Sequence, residues 1–292
     1  MVSPPQADWD SASAASGIPE RLKTKLPVGP SGRQLHSFAM APPQADWDSA
    51  SAASGIPESY YLCTMFSFFK KNKPVPASFE GMTDSHSHIL PGVDDGVQEL
   101  EESLAILDRY AGMGIKEVWF TPHIMEDVPN TTAGLTASFE DFKKRYDGPI
   151  ELHLSAEYML DYGFERRLHD RDLLFHGEGR VLVETSYLEP PMGLDNILFN
   201  IQAAGFTPIL AHPERYLYMD MKKYPELKKL GILFQLNWGS LGGLYGHHVQ
   251  ERALKMLGEG LYDMSGSDIH TRRMFRYYDG ILLEPGLSLP CE

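Results

Sequence analysis

From about Gly81 to Asp268, apolar runs of strand length alternate with stretches of helical periodicity, and nearly every run stops at a histidine or a carboxylate. Strand followed by helix, many times over, leaves few solutions. The strands lie parallel, the helices cover them, and the chain forms an α/β sheet or barrel. The predicted strands are residues 82–86, 117–121, 151–156, 181–185, 207–211, 232–236 and 262–265. The predicted helices are 99–113 (with Leu100, Leu104 and Leu107 on one face), 139–146, 194–204, 225–230 and 249–257. Seven strands separated by helices favour a distorted seven-stranded (β/α) barrel of the TIM-barrel kind. A doubly wound open sheet is the alternative.

In such a barrel the residues that follow the carboxyl ends of the strands gather on one face. His86 and His88 close the first strand within Asp84-Ser85-His86-Ser87-His88. His123 closes the second, Glu157 the third, Glu184 the fourth and His212 the fifth, and Asp268 with His270 follows the last. Alternate residues of a strand project to one face, so a His-x-His pair offers two imidazoles to one point. A single histidine at a strand end is usually an ordinary core or surface residue, and a single glutamate is usually solvated. Eight such residues at six strand ends are a pattern that chance seldom produces. Asp95 makes nine candidate ligands in all, more than one ion needs, so two or three metals are expected. Imidazole and carboxylate without thiolate suit Mn, Fe, Co or Zn. Metals held close together can activate a water and clamp the oxygens of a phosphoryl group.

Composition narrows the function classes. Charged residues make up 23% of the chain with a formal net charge of -14, and no run of Lys or Arg is long enough to track a nucleic-acid backbone. Two cysteines, Cys63 and Cys291, argue against a disulfide framework or thiolate zinc site and for a reducing compartment. The start carries no signal-peptide pattern, and the most apolar window, residues 60–69, is too short to span a bilayer. A cytoplasmic protein without a membrane span is therefore expected. Residues 4–20 (PPQADWDSASAASGIPE) recur unchanged at 42–58. Structural repeats diverge and carry an apolar face; this one is polar and rich in Ala, Ser and Pro. Residues 1–64 are accordingly read as a disordered, duplicated segment outside the native product, 65–80 as a linker, 81–283 as the functional domain and 284–292 as a tail.

The loop Asp84-Ser85-His86-Ser87-His88-Ile89-Leu90-Pro91-Gly92-Val93-Asp94-Asp95-Gly96 resembles the opening motif of the polymerase and histidinol phosphatase (PHP) superfamily. More narrowly, it resembles the bacterial manganese-dependent protein-tyrosine phosphatases encoded with capsule and exopolysaccharide genes. Ala156-Glu157-Tyr158, Ala211-His212-Pro213-Glu214-Arg215-Tyr216 and Ser267-Asp268-Ile269-His270 agree, so the likeness covers about residues 80–275. It implies a PHP-type distorted barrel holding up to three metal ions, commonly Mn. Carried over position by position, the implied ligands are His86, His88, Asp95, His123, Glu157, Glu184, His212, Asp268 and His270. Asp94 competes with Asp95, and Glu184 stands where some relatives place a histidine.

The likeness also implies that Arg215 binds substrate phosphate, a role its fork of donors suits; an ion pair with a carboxylate such as Glu214 is the plainer reading. A second phosphate-binding arginine is expected after the Asp-x-His motif, where Arg272, Arg273 and Arg276 compete and Arg273 is preferred. The family usually continues for several dozen residues past this motif, whereas this chain ends at Glu292. The implied substrate is a phosphotyrosine protein, the tail of a bacterial tyrosine kinase that controls polysaccharide export. The rivals are a phosphatase of histidinol phosphate or another small metabolite, a PHP-type nuclease, and a non-catalytic metal-binding regulator.

Overall fold

The structure is a computed structural model that describes residues 73–291. Residues 1–64 and the first part of the expected linker lie outside the described residues. The chain runs through β1 (Val75–Pro76), β2 (Thr83–Ser87), α1 (Leu100–Met113), β3 (Glu117–Phe120), β4 (His123–Ile124) and α2 (Thr132–Lys143). It continues with β5 (Glu151–Leu154), β6 (Glu157–Met159), α3 (Tyr162–Asp170), β7 (Arg180–Glu184), α4 (Leu194–Ala203) and β8 (Thr207–Ala211). Then come α5 (Lys223–Lys229), β9 (Leu233–Asn237), α6 (Trp238–Leu241), α7 (His247–Gly258), β10 (Met264–Gly266), α8 (Phe275–Tyr278) and β11 (Leu282–Leu283).

Two parallel sheets carry the fold, one in the order β10-β9-β8-β7-β6-β4 and one in the order β2-β3-β5. The open doubly wound alternative does not describe them, because the sheet curls until its first and last elements meet. Ser87 bridges Ile269 just beyond β10. His88 N donates to Ile269 O at 3.1 Å, Asp268 N to His86 O at 2.7 Å, and Ser85 Oγ to Ser265 O at 2.7 Å. Gly266 permits this approach: a Cβ there would stand 2.6 Å from both the Cβ and the backbone N of His86.

The predicted second and third strands are each interrupted, after Phe120 and after Leu154. Pro122 has no N–H to donate, and its carbonyl instead accepts from Glu157 N at 3.2 Å, which carries the chain from one sheet to the other. The interruptions turn His123 and Glu157 into the first residues of new short strands, paired directly with each other.

Sequence and helix termini agree where the local signals are strong. Helix α1 buries Ile106, Leu107 and Tyr110 and ends at Gly114, whose φ of 87° is the left-handed conformation that glycine adopts without cost. Helix α2 begins seven residues before the predicted 139, because Thr131 caps it by accepting from Gly134 N. Helix α3 was not predicted. Its core contribution is only Phe164 and Leu168, and it is fixed by Asp161, which accepts from the N–H groups of Gly163 and Phe164.

The core divides in two. A large cluster between helices and sheet includes Ile106, Phe120, Tyr158, Phe164, Phe234 and Trp238. A small one, Leu182, Ile209, Ala211 and Met264, lies apart from it. Full burial of each large apolar side chain stabilises the fold by about 1.5–3 kcal/mol. Towards the end of the chain, β11 pairs antiparallel with β1, Leu289 is buried, and Ser265 Oγ donates to Pro290 O at 2.8 Å. Among the described residues no helix is long and apolar enough to cross a membrane.

Candidate metal centre

The nine predicted ligands converge. Eight fall into three overlapping groups, each tight enough to hold one ion: His86, His88, Glu157 and Asp268; His123, Glu157 and Glu184; and His88, Asp95, His123 and His270. The ninth, His212, joins through Nε2, 2.8 Å from Glu157 Oε1 and 3.9 Å from Glu184 Oε2. All but Asp95 and His270 are buried.

The protons on the ring nitrogens follow from their neighbours. Gln235 Oε1 can only accept. Its amide orientation is fixed because Oε1 accepts from His212 N at 3.2 Å while Nε2 donates to Leu236 O at 2.7 Å. His86 Nδ1, 3.0 Å from that Oε1, must therefore carry a proton. His88 Nδ1 likewise donates to Asp94 Oδ2 at 2.8 Å, and His270 Nδ1 to the carbonyl of Asp268 at 2.9 Å. In a neutral ring each Nε2 then presents a lone pair. His86 Nε2 and His88 Nε2 stand 3.0 Å apart. Glu157 Oε2 is 3.2 and 3.3 Å from them, and Asp268 Oδ1 is 3.5 and 3.3 Å away.

With neutral rings these four electron-rich atoms would face one point without a proton between them, so the arrangement calls for added positive charge there, either a proton or a metal ion. One of these atoms, Glu157 Oε2, and one further atom, His123 Nδ1, are buried without a hydrogen-bond partner. Burial opposes a charge on His86, but Glu157 and Asp268 outweigh it and raise its pKa to about 9. Burial also opposes ionisation of Asp268, yet His86, His88 and His270 hold its carboxyl well below the usual range. The donor set, its burial and its orphaned atoms fit divalent cations.

Asp94 and Asp95 separate cleanly. The carboxylate of Asp94 is consumed by His88 Nδ1, by Gly96 N at 2.9 Å and by His123 N at 3.1 Å, so it orients histidines from behind. Asp95 stands forward, its Oδ1 3.6 Å from His123 Nε2 and 3.5 Å from His270 Nε2, and the bond with His270 holds its pKa down at about 2.

Backbone strain marks the same place. Three non-glycine residues among those described have positive φ, and two of them are His212 (34°) and Asp268 (52°). Each costs roughly 1–3 kcal/mol, held here by the packed surroundings.

Arg215 sits beside the cluster, and its ion pair is with Asp268, Nη1 to Oδ2 at 3.1 Å. The expected plain partner, Glu214, is turned away; it accepts from Asn237 N and Tyr262 OH, both at 3.0 Å, and burial raises its pKa. The candidates for the second arginine are not drawn in. Arg273 is exposed on the turn after His270 and is not among the residues lining the cleft, although Met274 is. Arg276 donates to Tyr277 OH, and Arg272 N to Glu102.

Sequence reasoning missed Gln235 and Asn237. Asn237 Nδ2 donates to Asp268 Oδ2 at 2.7 Å, and Tyr245 OH donates to the same oxygen at 3.2 Å. A signal existed: Gln235 and Asn237 alternate along β9 as uncharged polar residues in an apolar, buried strand.

The chain matches known proteins over the part that builds this site. The tyrosine-protein phosphatase YwqE of Bacillus subtilis is 27% identical over 198 residues, 65% of this chain and 77% of that protein. The tyrosine-protein phosphatase CpsB of Streptococcus pneumoniae is 29% identical over 205 residues, covering 65% and 83%. A solved structure described as YwqE from Bacillus subtilis and CpsB from Streptococcus pneumoniae, unique metal-dependent tyrosine phosphatases, superposes with a TM-score of 0.62 at 26% identity. It covers 68% of this chain and 84% of that one. The pattern described as capsular polysaccharide synthesis, CpsB/CapC, matches residues 82–276, from β2 to α8. With its strand-end histidines and carboxylates all inside that span, the chain belongs to the CpsB/CapC family of capsular polysaccharide synthesis.

Proposed function

We propose that this chain is a metal-dependent protein-tyrosine phosphatase that hydrolyses phosphotyrosine on a protein. The observation that carries the reading is the meeting of His86 Nε2, His88 Nε2, Glu157 Oε2 and Asp268 Oδ1 beside a cleft of about 470 Å³ that Arg215 also lines. His86, His88, Asp95, His123, Glu157, Glu184, His212, Asp268 and His270 are the proposed ligands, with Glu157 shared between groups and Asp94 and Gln235 fixing ring orientation. Two or three ions are proposed, of Mn in preference to Fe, Co or Zn. When bound, they supply water with a lowered pKa and positive charge for phosphoryl oxygens.

The protein's own part is positioning. Asp268 and Tyr245 hold Arg215 at the edge of the cluster, where its other donors serve the equatorial oxygens of a phosphate. Arg273, next to the cleft-lining Met274, is proposed as an outer phosphate contact. A phenolate leaving group, with pKa about 10, departs without the strong acid an alkoxide needs, and no general acid is assigned. A phosphocysteine route has no support: Cys291 is exposed and Cys63 lies outside the described residues.

The sheet supports a further reading, with β3 and β4 as one interrupted strand and β5 and β6 as another. The curled sheet then makes seven passes of a distorted PHP-type barrel. The proposed partner is the phosphotyrosine tail of a bacterial tyrosine kinase, met in the cytoplasm.

Phosphate release from a phosphotyrosyl peptide tests the function, with added Mn, with chelator, and with His86→Ala. Release that needs metal and is lost in the variant is expected. Hydrolysis of histidinol phosphate or an oligonucleotide in preference to the peptide would overturn the substrate class.

A further inference from the structure

The cleft has two unlike halves. Its floor is the cluster: His123, Glu157, Glu184, His212, Asp268 and His270. Its walls are apolar or aromatic: Met125, Met159, Leu244 and Met274 with Tyr187 and Tyr245. Charge at the floor suits phosphate, and a hydrophobic wall above it suits an organic group that stands upright on that phosphate.

Arg215 joins the halves. Its guanidinium carbon lies 4.3 Å from the ring centroid of Tyr245 and 5.5 Å from that of Tyr187, so the cation faces two aromatic rings. The two tyrosines are held very differently. Tyr245 is anchored by its hydroxyl at Asp268 and Asn237, both at 3.2 Å. Tyr187 is 59% exposed, and among the described residues its hydroxyl makes no hydrogen bond. It stands on the segment Tyr187-Leu188-Glu189-Pro190-Pro191-Met192 that follows β7, where Leu188 and Met192 are also exposed. A large aromatic ring left in solvent at a cleft mouth, touching the phosphate-binding cation on one side, has a free face for a second ring.

We propose that Tyr187 is a specificity-determining residue, its ring packing against the aryl ring of phosphotyrosine while the phosphate lies on Arg215 and the cluster. This deepens the phosphatase reading and rests on it for the natural substrate. The selection is physical. A phenylene group sets the phosphate one ring length farther from the peptide backbone than a serine or threonine side chain does, so it reaches the floor while the backbone stays outside the mouth. On that path the ring passes Tyr187 and the methionine wall. An alkyl phosphate reaches the same floor with nothing for Tyr187 to hold.

The test separates binding from turnover. Dissociation constants of phenylphosphonate and methylphosphonate are measured by calorimetry on the full-length, Mn-loaded protein, for wild type, Tyr187→Ala and Tyr187→Phe. The wild type is expected to prefer the aryl ligand. Tyr187→Ala is expected to shrink that preference by about 3- to 10-fold, the scale of one aromatic pair, and Tyr187→Phe to retain it. With a phosphotyrosyl peptide, the greater part of the Ala effect should appear in KM and the lesser part in kcat. An aryl preference unchanged in Tyr187→Ala overturns the proposal. Equal weakening of both phosphonates also overturns it, since that would show Tyr187 acting only by positioning Arg215. A wild type that prefers phenylphosphonate but leaves the phosphotyrosyl peptide intact would sink the phosphatase reading and leave the aryl site standing.

Discussion

His86 and His88 on one side and His176 on the other are all fully buried, yet they have opposite character. His86 and His88 face Glu157 and Asp268, and for His86 those carboxylates overcome burial and raise the pKa to about 9. His176 stacks on Trp119 with ring centroids 4.1 Å apart, and Trp119 stacks in turn on His153 at 4.6 Å. His176 Nε2 donates to Ser85 O at 2.9 Å, its Nδ1 is buried without a partner, and burial lowers its pKa to about 3. Burial alone keeps a histidine neutral and inert. Burial with converging carboxylates makes a site that attracts cations.

The largest effect that tests this contrast is acid destabilisation through His176. Its folded pKa lies below its unfolded value, so the unfolded chain takes the proton first. Stability is whole above pH 6.5 and is lost as pH falls from 6.5 towards 3. The full shift corresponds to about 5 kcal/mol. Asp84 acts with the opposite sign: burial raises its pKa to about 6, so its contribution is lost as pH rises from 3.8 towards 6. Comparing wild type with His176→Gln by urea unfolding at pH 7.5 and 5.0 isolates the histidine. The difference between the two proteins should shrink on acidification, and a constant difference would break the contrast.

Next in size is the loss of a shared carboxylate. Glu157→Gln keeps the shape but removes the charge that touches His86, His88, His123 and His212. Phosphate release from a phosphotyrosyl peptide is expected to fall about 1,000-fold, the scale of losing one preorganised charge-stabilising group, with the circular-dichroism spectrum unchanged. Near-native turnover would mean that the cluster is structural, like the Trp119 stack.

The smallest effect concerns orientation. Asp94→Asn leaves the proposed ligands in place but weakens the acceptor for His88 Nδ1. Mn affinity measured by calorimetry should fall about 10- to 100-fold, as when other ligand-orienting partners are removed. Unaltered affinity would place Asp94 among ordinary turn residues.

The alternation of strands and helices was legible because strands such as β7, β8 and β9 are largely apolar runs, and the strand-end residues were legible because alternation and chain order suffice to gather them. Asp94 and Asp95 were not separable, since adjacent carboxylates differ only in which way the loop turns them. Gln235 escaped notice because an amide carries no charge to stand out, although it fixes the His86 proton and holds the strained turn at His212. The carboxylate that Arg215 pairs with, Asp268, was not legible because residues far apart in sequence can be neighbours in space, whereas Glu214, next to it in the 3₁₀ turn at 213–215, bonds Asn237 and Tyr262 instead. The pairing of β1 with β11 joins two-residue strands some two hundred residues apart, and nothing local announces it.

The most direct test of the central claim is where the metal goes. Crystals grown with Mn and measured at the Mn absorption edge should show two or three anomalous peaks. One is expected among His86, His88, Glu157 and Asp268, and the others among His123, Glu157 and Glu184 and among His88, Asp95, His123 and His270. Density maps of Mn-grown crystals with no peak in any of these groups would contradict the account, leaving the convergence of lone pairs to be satisfied by protons alone.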